Sequence, residues 1–321
     1  MKKPLFVLLL LICIIGAIAQ VPHPMLPEAK VTVRVIDQDG KPVHGASVGV
    51  GFEFNTGSGT KSDEKHGPSD KDGLFSASGK TSGYVAYAAT KPGYYRTEGE
   101  PFRSFAKEDG KWQPYNPTLD VVLKRIIMPI PMYARMVEID LPLADEPIGY
   151  DLVEADWVAP HGRGKVGDFV FKLTKRVVSY KDYGAELQIT FLNKQDGIQG
   201  FNAPPKKGSE LRSPHQAPEQ GYEPSMSLPQ GSSEQGSYGF NKEDQNYLFR
   251  VRTVVDEKGK IVSALYGKVY GQLRYFPVDH KTAKLRFVYY LNPAINDRNV
   301  EFDPARNLFT GLGSAGEVVL P

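Results

Sequence analysis

The chain has 321 residues, 24% of them charged, with 39 lysines and arginines against 37 aspartates and glutamates. Without Lys2 and Lys3, which fall in a predicted leader, the balance is 37 basic to 37 acidic side chains, so no net field attracts nucleic acid or an anionic membrane. The single cysteine, Cys13, also lies in that leader, which excludes a disulfide framework, thiol catalysis and cysteine-ligated zinc elsewhere.

The first residues have the features of an export signal. Lys2 and Lys3 precede an apolar run, and Ala17-Ile18-Ala19 is typical of a signal-peptidase site. We expect residues 1–19 to be a signal peptide, residues 20–29 to be a linker, and the protein to be periplasmic, displayed on the cell surface or secreted. The apolar run is short for a bilayer, and Ile12 before Cys13 argues against lipidation, so no stable membrane span is expected after cleavage.

Residues 30–126 predict a β-sandwich. Val31, Val33 and Val35 alternate with polar residues, and a second alternating run covers residues 46–54, as in strands with one buried face. Asp39-Gly40 and Asp72-Gly73 predict turns, because glycine readily adopts positive φ. Strand signals at this spacing, without helical periodicity, favour a sandwich.

The sequences VRVIDQDGKPVHGASVGV and DKDGLFS, with the corner Lys91-Pro92-Gly93-Tyr94, resemble the carboxypeptidase regulatory-like domain, a transthyretin-like (prealbumin-like) sandwich. The resemblance implies a fold grouped with carbohydrate-binding-like sandwiches, an accessory role and no catalytic residues. Two stretches, 55–69 and 102–117, are longer than the pattern needs. We expect them to be loops that would hold any ligand contacts.

Residues 127–321 predict a second antiparallel β domain, because alternating apolar runs recur from residue 137 to 291. The stretch 202–240 interrupts them with Pro, Gly, Ser and Gln, which predicts a long flexible insert. Its alternative interpretation is a binding loop with Tyr222 and Tyr238 as contacts. The C-terminal stretches resemble uncharacterised exported bacterial proteins, a resemblance that implies no activity.

The sequence predicts no catalytic residues. Its six histidines are scattered singly, without the spacing of a metal pair, and there is no Gly-x-Ser-x-Gly motif. The chain has 37 aspartates and glutamates, but no motif identifies which two of them could form the carboxylate pair that glycoside hydrolysis requires.

Two sets of residues are candidates for binding. Oxygen-bearing side chains alternate as at the start of a calcium loop, although Phe302 stands where an EF-hand needs glycine and a solvated strand face would give the same pattern; they are Asp297, Asn299, Glu301 and Asp303. Aromatic rings that could stack on sugars, or simply fill the core, are Trp112, Tyr115 and Trp157. Calcium is the only cofactor that the sequence suggests.

The sequence therefore predicts an all-β, exported bacterial protein of two domains. Its predicted function is that of a non-catalytic accessory or binding protein, with polysaccharide or another envelope protein as partner. A carbohydrate-active hydrolase and a structural envelope or matrix component remain as alternatives.

Overall fold

The computed structural model describes residues 26–103, 106–203, 207–239, 242–278 and 280–321. Within these ranges the only helical element is a 3-10 turn at Pro304–Arg306, so the all-β prediction is confirmed. The predicted leader lies outside the described residues. The strands are β1 (Glu28–Asp37), β2 (Ser47–Thr56), β3 (Gly59–Pro68), β4 (Leu74–Lys80), β5 (Tyr84–Thr90), β6 (Thr97–Glu98), β7 (Ala106–Glu108), β8 (Lys111–Gln113), β9 (Thr118–Leu123), β10 (Tyr133–Asp140), β11 (Ile148–Asp151), β12 (Asp156–Trp157), β13 (Phe169–Ser179), β14 (Asp182–Thr190), β15 (Gly197–Asn202), β16 (Gly208–Ser209), β17 (Ser225–Ser233), β18 (Gly236–Gly239), β19 (Gln245–Val255), β20 (Ile261–Phe276) and β21 (Lys284–Asn292).

The first sandwich packs two sheets around valines. In one sheet β1 lies between antiparallel β4 and parallel β9, and the β7–β8 hairpin joins near Glu28. The other sheet has the order β3-β2-β5-β6. Side chains of β1 and β2 that are at most 1% exposed form the centre of the core, namely Ala29, Val31, Val33, Val35, Val48, Val50 and Phe52.

Three expectations for this region need correction. β1 begins at Glu28, inside the predicted linker 20–29. The stretch 55–69 is mostly β3, which pairs with β2 along its whole length, and 102–117 contains the β7–β8 hairpin. These stretches are polar because β3 and the hairpin lie at sheet edges, where few side chains are covered.

One turn recurs three times in the molecule. An aspartate carboxylate accepts hydrogen bonds from the backbone N–H groups two and four residues later, at Asp37, Asp70 and Asp256. The third residue after each is a glycine with φ between 77° and 78°. A Cβ on Gly73 would lie 2.4 Å from the carbonyl oxygen of Val35, so only glycine fits there. The predicted turns are confirmed.

The second sandwich is larger and its core is aromatic. One sheet has the order β10-β21-β20-β19-β15, and the facing sheet has the order β12-β11-β13-β14-β17-β18. Phe169 lies at the centre, with ring centroids 5.0 Å from Phe249 and 6.1 Å from Phe171 in edge-to-face contacts. Such aromatic pairs stabilise a core beyond their buried area.

The described residues of the stretch 202–240, which are 202–203 and 207–239, are here called the bridging segment, and they do not form the flexible insert that the composition predicts. Its strand β16 extends the first sandwich by pairing with β6, whereas β17 pairs with β14 of the second. Leu211, Ala217 and Leu228 are buried. The prediction failed because composition indicates only whether a segment has enough apolar residues to form a core of its own. This segment instead packs its few apolar residues against the cores of the two sandwiches.

The bridging segment and the C-terminal residues together cover the outer face of the sheet with the order β10-β21-β20-β19-β15. Ala217 packs with Leu248, Tyr266 and Val300 in one small cluster, and Tyr270, Tyr290 and Phe302 pack in another. Because both faces of this sheet are covered, the middle of β20 is buried on both sides. The opposite sheet, with β13, β14, β17 and β18, keeps an exposed outer face.

Candidate functional site

The structure places Trp157 in the core. Its side chain is 3% exposed, its indole Nε1 donates to the carbonyl oxygen of Asp140 at 3.0 Å, and its ring meets Tyr150 and Phe171 edge to face. A ring packed on both sides has no free face for a sugar. The alternative that Trp157 fills the core is the correct one.

Trp112 and Tyr115 also support the fold. Trp112 is half-buried against Gly83 and donates from Nε1 to the carbonyl oxygen of Thr81 at 2.9 Å. Tyr115 is 38% exposed, and its hydroxyl donates to Glu28 at 2.9 Å while Lys111 lies over its ring. Trp112 therefore connects β8 to the β4–β5 turn, and Tyr115 connects the residues after β8 to β1.

The predicted calcium residues do not converge. Asp297 accepts from the N–H of Asn299 at 3.0 Å, and Asn299 accepts from the N–H of Glu301 at 2.9 Å. Asp303 caps the 3-10 turn and pairs with Arg306. Along the described ranges no group of three or more His, Cys, Asp or Glu side chains could hold a metal ion. In this structure the side-chain oxygens of Asp297, Asn299 and Asp303 accept hydrogen bonds from backbone N–H groups.

Glu301 has a different role, at the contact between the sandwiches. It is 1% exposed, and its carboxylate accepts hydrogen bonds from the Tyr95 hydroxyl at 2.7 Å and from the N–H groups of Ile127 and Met128 at 2.9 and 2.7 Å. Three donors compensate the cost of burying this charge. Burial is the first cause of the raised pKa of Tyr95, followed by this hydrogen bond.

A buried lysine lies in the same junction. The Nζ of Lys268 donates to the Tyr270 hydroxyl at 3.0 Å and to Ser213 Oγ at 3.3 Å, and it lies 4.5 and 4.7 Å from the ring centroids of Tyr270 and Tyr290. Burial lowers its pKa well below the usual value. Ser213 belongs to the bridging segment, so this contact ties that segment to β20.

The exposed outer face of the second sandwich carries the best candidate site. Strand alternation puts the apolar side chains of β13, β14 and β17 inward and polar ones outward. Cross-strand register aligns three outward rows, which are Arg176-Gly184-Gly231-Tyr238, Thr174-Glu186-Pro229 and Lys172-Gln188-Ser227. We call these residues the outer sheet face.

Tyr238 is the aromatic residue of those rows. A Cβ added at Gly231 would lie 2.6 Å from two ring atoms of Tyr238, and a Cβ at Gly184 would lie 3.5 Å from its hydroxyl. The ring therefore rests on the backbone of two glycines that are opposite one another in neighbouring strands. Gly231 is buried beneath the ring, while Tyr238 itself is 59% exposed. This geometry presents an aromatic surface above the flat sheet.

Hydrogen-bonding groups surround the ring on the outer sheet face. The Ser227 hydroxyl donates to Glu186 at 2.5 Å, and Arg176 pairs with Asp182 at 3.0 Å. All the side chains in the two rows beside Tyr238 are exposed. An exposed ring beside mixed donors and acceptors can stack on the apolar face of a sugar and bond its hydroxyl groups.

The two tyrosines of the alternative binding-loop prediction thus have different positions. Tyr222 packs near Tyr266, its hydroxyl donates to the carbonyl oxygen of Pro218 at 2.8 Å, and Arg250 lies 4.7 Å from its ring centroid. Tyr238 lies on a strand with its ring in solvent. No sequence signal separates them, because the difference depends on which strand each residue joins.

No family model matches the sequence, and no curated protein matches it. Among the described residues, no helix is long and apolar enough to cross a membrane. Solved structures with similarity include the shaft pilin SpaA of Lactobacillus rhamnosus GG, at 10% identity and TM-score 0.23, with 85% of this chain and 94% of that chain covered.

The major pilin subunit BcpA of Bacillus cereus is similar at 13% identity and TM-score 0.23, over 81% of this chain and 95% of that chain. A proposed carbohydrate-binding protein from Bacteroides uniformis is similar at 12% identity and TM-score 0.19, over 84% of this chain and 99% of that chain. At such scores the superpositions carry no argument about this chain, so its function has to be argued from its own residues.

Proposed function

We propose that the protein is an exported, non-catalytic binding protein of the cell envelope that binds polysaccharide through the outer sheet face. The observation that carries this proposal is the Tyr238 ring, which is 59% exposed and rests on Gly231 and Gly184. A ring supported by backbone loses little freedom on binding. An open sheet face also suits an extended chain better than a closed pocket does.

Two observations favour binding over catalysis. Trp157 and Trp112 donate hydrogen bonds to backbone carbonyl oxygens of the fold, and the buried ionisable groups Glu301 and Lys268 hydrogen-bond to neighbouring side chains and backbone groups. Catalytic groups need access to substrate, and these two lie within the junction. The outer sheet face supplies contact surface without such groups.

The edge strand β3 bears on the alternative of a structural component. Lys61, Asp63 and Lys65 lie on the same face as their cross-strand partners, which include the core residues Phe54, Phe52 and Val50. Charges that point to the core side of an edge strand oppose the addition of a further strand. Assembly of copies through this edge is therefore disfavoured, and the binding proposal is the stronger one.

We also propose that the first sandwich is a carboxypeptidase regulatory-like domain. The support is local, since the Asp37 and Asp70 turns share one hydrogen-bond pattern at the two positions where the resemblance places its motifs. In this proposal the domain serves as a rigid accessory that presents the second sandwich.

The direct experiment is retention of the purified chain on insoluble cellulose, chitin and peptidoglycan. We expect the wild type to be retained on at least one of them and Tyr238→Ala to be released. Tyr180→Ala is the matched control, because Tyr180 is 69% exposed at the turn between β13 and β14. Release of sugar fragments during incubation would support the hydrolase alternative. Wild-type retention that Tyr238→Ala does not change would refute the proposed site.

A further inference from the structure

A cavity of about 290 Å³ lies at one end of the second sandwich and shares Pro229 with the outer sheet face. One wall comes from Leu228, Pro229 and Gln230 of β17 with Gly239 of β18, and the other wall is the end of β20, residues 272–276. Gln230 pairs with Ala185, so its side chain points inward, opposite to Tyr238. The cavity therefore offers a second surface on the same pair of strands.

The end of β20 exposes backbone to this cavity. Pairing with β19 reaches only Val269, whereas pairing with β21 continues to Phe276. Gln230 Nε2 donates to the carbonyl oxygen of Tyr275 at 3.0 Å, which shows that this carbonyl faces away from β21. Because the N–H and C=O of one residue in an antiparallel strand point to the same side, the Tyr275 N–H faces the cavity as well.

One donor in the cavity wall lacks a partner. The Nε2 atom of Gln272 is buried and has no hydrogen-bond partner among the described residues. A buried donor left unsatisfied destabilises a protein, so an acceptor oxygen placed beside it would be bound favourably.

The other lining groups limit what that acceptor can belong to. Among the described residues, the walls contain the amides of Gln230 and Gln272, small parts of Leu228 and Leu273, the guanidinium of Arg274 and no carboxylate. A cation finds no charged ligand there. A small neutral group with an acceptor oxygen, an N–H and a methyl group matches the amides and the leucines together. Phe276, 41% exposed at the rim, offers a ring surface for what the group is attached to.

We infer that this cavity binds the acetamido group of an N-acetylated amino sugar. Gln272 Nε2 donates to the acetyl oxygen, the methyl group packs on the apolar wall, and Phe276 contacts the sugar ring. An extended peptide is the weaker fit, since Gln230 already occupies the Tyr275 carbonyl that an added strand would need. The choice of a sugar rests on the proposed function, but the site is independent of Tyr238.

The test compares two trisaccharides by isothermal titration, tri-N-acetylchitotriose and cellotriose, which differ in the acetamido groups. We expect the wild type to bind the acetylated trimer at least tenfold more tightly. Gln272→Leu should lose that preference, and so should Gln272→Glu, which replaces the donor by an acceptor. Gln38→Leu, at an exposed position of the first sandwich, is the matched control and should keep the preference for the acetylated trimer.

The outcomes separate this inference from the proposed function. The preference should persist in Tyr238→Ala, which is expected to lose only retention on polysaccharide. Equal affinities for the two trimers in the wild type, or an undiminished preference in a folded Gln272→Leu protein, would overturn the inference. So would displacement of the acetylated trimer by an unrelated extended peptide, because that would assign the cavity to peptide.

Discussion

The hydroxyl of Tyr95, in the first sandwich, donates a 2.7 Å hydrogen bond to the carboxylate of Glu301, which follows the last strand of the second. The two residues are 206 positions apart in the chain, and both are almost fully buried. Their contact, with the bridging segment, makes the two sandwiches one continuous structure. The outer sheet face of the second sandwich is thereby connected to the first sandwich through a buried hydrogen bond.

Removing this hydrogen bond should destabilise the whole molecule. Tyr95→Phe leaves one oxygen of a buried carboxylate short of a donor, and hydrogen bonds to charged groups contribute about 1.5–3 kcal/mol. We expect a loss of that size in the free energy of unfolding, measured with urea. Glu301→Gln should lower the free energy of unfolding by a similar amount. The NH2 group of the new amide would face a backbone N–H donor of Ile127 or Met128, and two donors cannot form a hydrogen bond. Tyr115→Phe, which removes an exposed hydrogen bond to Glu28, is the control. Equally small losses in the free energy of unfolding for all three variants would show that the Tyr95–Glu301 hydrogen bond does not stabilise the molecule.

Asp37 should make the first sandwich sensitive to acid. The hydrogen bond from the Arg125 guanidinium is the main reason that the pKa of this carboxyl is below its usual value. A lowered pKa in the folded state means that the contribution is present above the unfolded pKa, about 4, and is lost as pH falls through the folded pKa.

Asp37→Asn should therefore lower the midpoint of urea unfolding at pH 7, and the difference from wild type should shrink as the pH approaches about 2. Asp72→Asn, at the exposed position of the sister turn, is the control for a general effect of lost charge. A difference that stays constant across this pH range would show that the Arg125 pair is not its cause.

Lys268 should be replaceable by an apolar residue. Burial lowers the pKa of its amine well below the usual value, so the wild type loses stability as pH falls from about 10.5 towards the folded pKa. Lys268→Met removes this dependence at similar volume. We expect Lys268→Met to be at least as stable as wild type at pH 7, because burying the amine costs more than its hydrogen bonds, of about 0.5–1.5 kcal/mol each, return.

Thermal unfolding between pH 10 and pH 7 provides the measurement. The melting temperature of Lys268→Met relative to wild type should rise as the pH is lowered, while the exposed Lys172→Met variant should follow wild type. A variant that is less stable by the same amount at every pH would mean that its hydrogen bonds to Tyr270 and Ser213 outweigh the cost of burying the amine.

The two glycines beneath Tyr238 should respond differently to alanine. At Gly231 the new Cβ would lie 2.6 Å from the ring and 2.7 Å from the Tyr183 carbonyl oxygen, whereas at Gly184 the nearest atom is 3.5 Å away. We expect Gly231→Ala to cost about 1–3 kcal/mol and to displace the ring, which shifts its NMR resonances. Gly184→Ala should change neither the free energy of unfolding nor the NMR resonances of the Tyr238 ring. Equal losses of stability and equal resonance shifts for the two variants would contradict the described packing.

Local features made much of the fold predictable. The valines of β1 alternate, and the aspartate–glycine turns satisfy their own backbone donors within five residues, so neighbours in sequence suffice to specify them. The bridging segment could not be predicted in this way. Leu211 and Leu228 are isolated in the sequence, and the surfaces that bury them lie in two other parts of the chain.

The candidate site was less predictable than the fold. Selection by residue type placed Trp157 among the binding candidates, whereas large aromatic side chains are mostly buried and Trp157 is 3% exposed. The position of Tyr238 depends on cross-strand register, which places Gly184 and Gly231 in its row. Residues more than fifty positions apart meet there, and no short sequence pattern encodes that pairing.

The most direct test of the proposed function is the partition of Tyr238→Ala between solution and the insoluble polysaccharide that retains the wild type. An aromatic contact of about 0.5–1.5 kcal/mol predicts a loss of about twofold to tenfold in the partition constant, with Tyr180→Ala equal to wild type. An unchanged constant for a folded Tyr238→Ala protein, or an equal loss for Tyr180→Ala, would contradict binding through the outer sheet face.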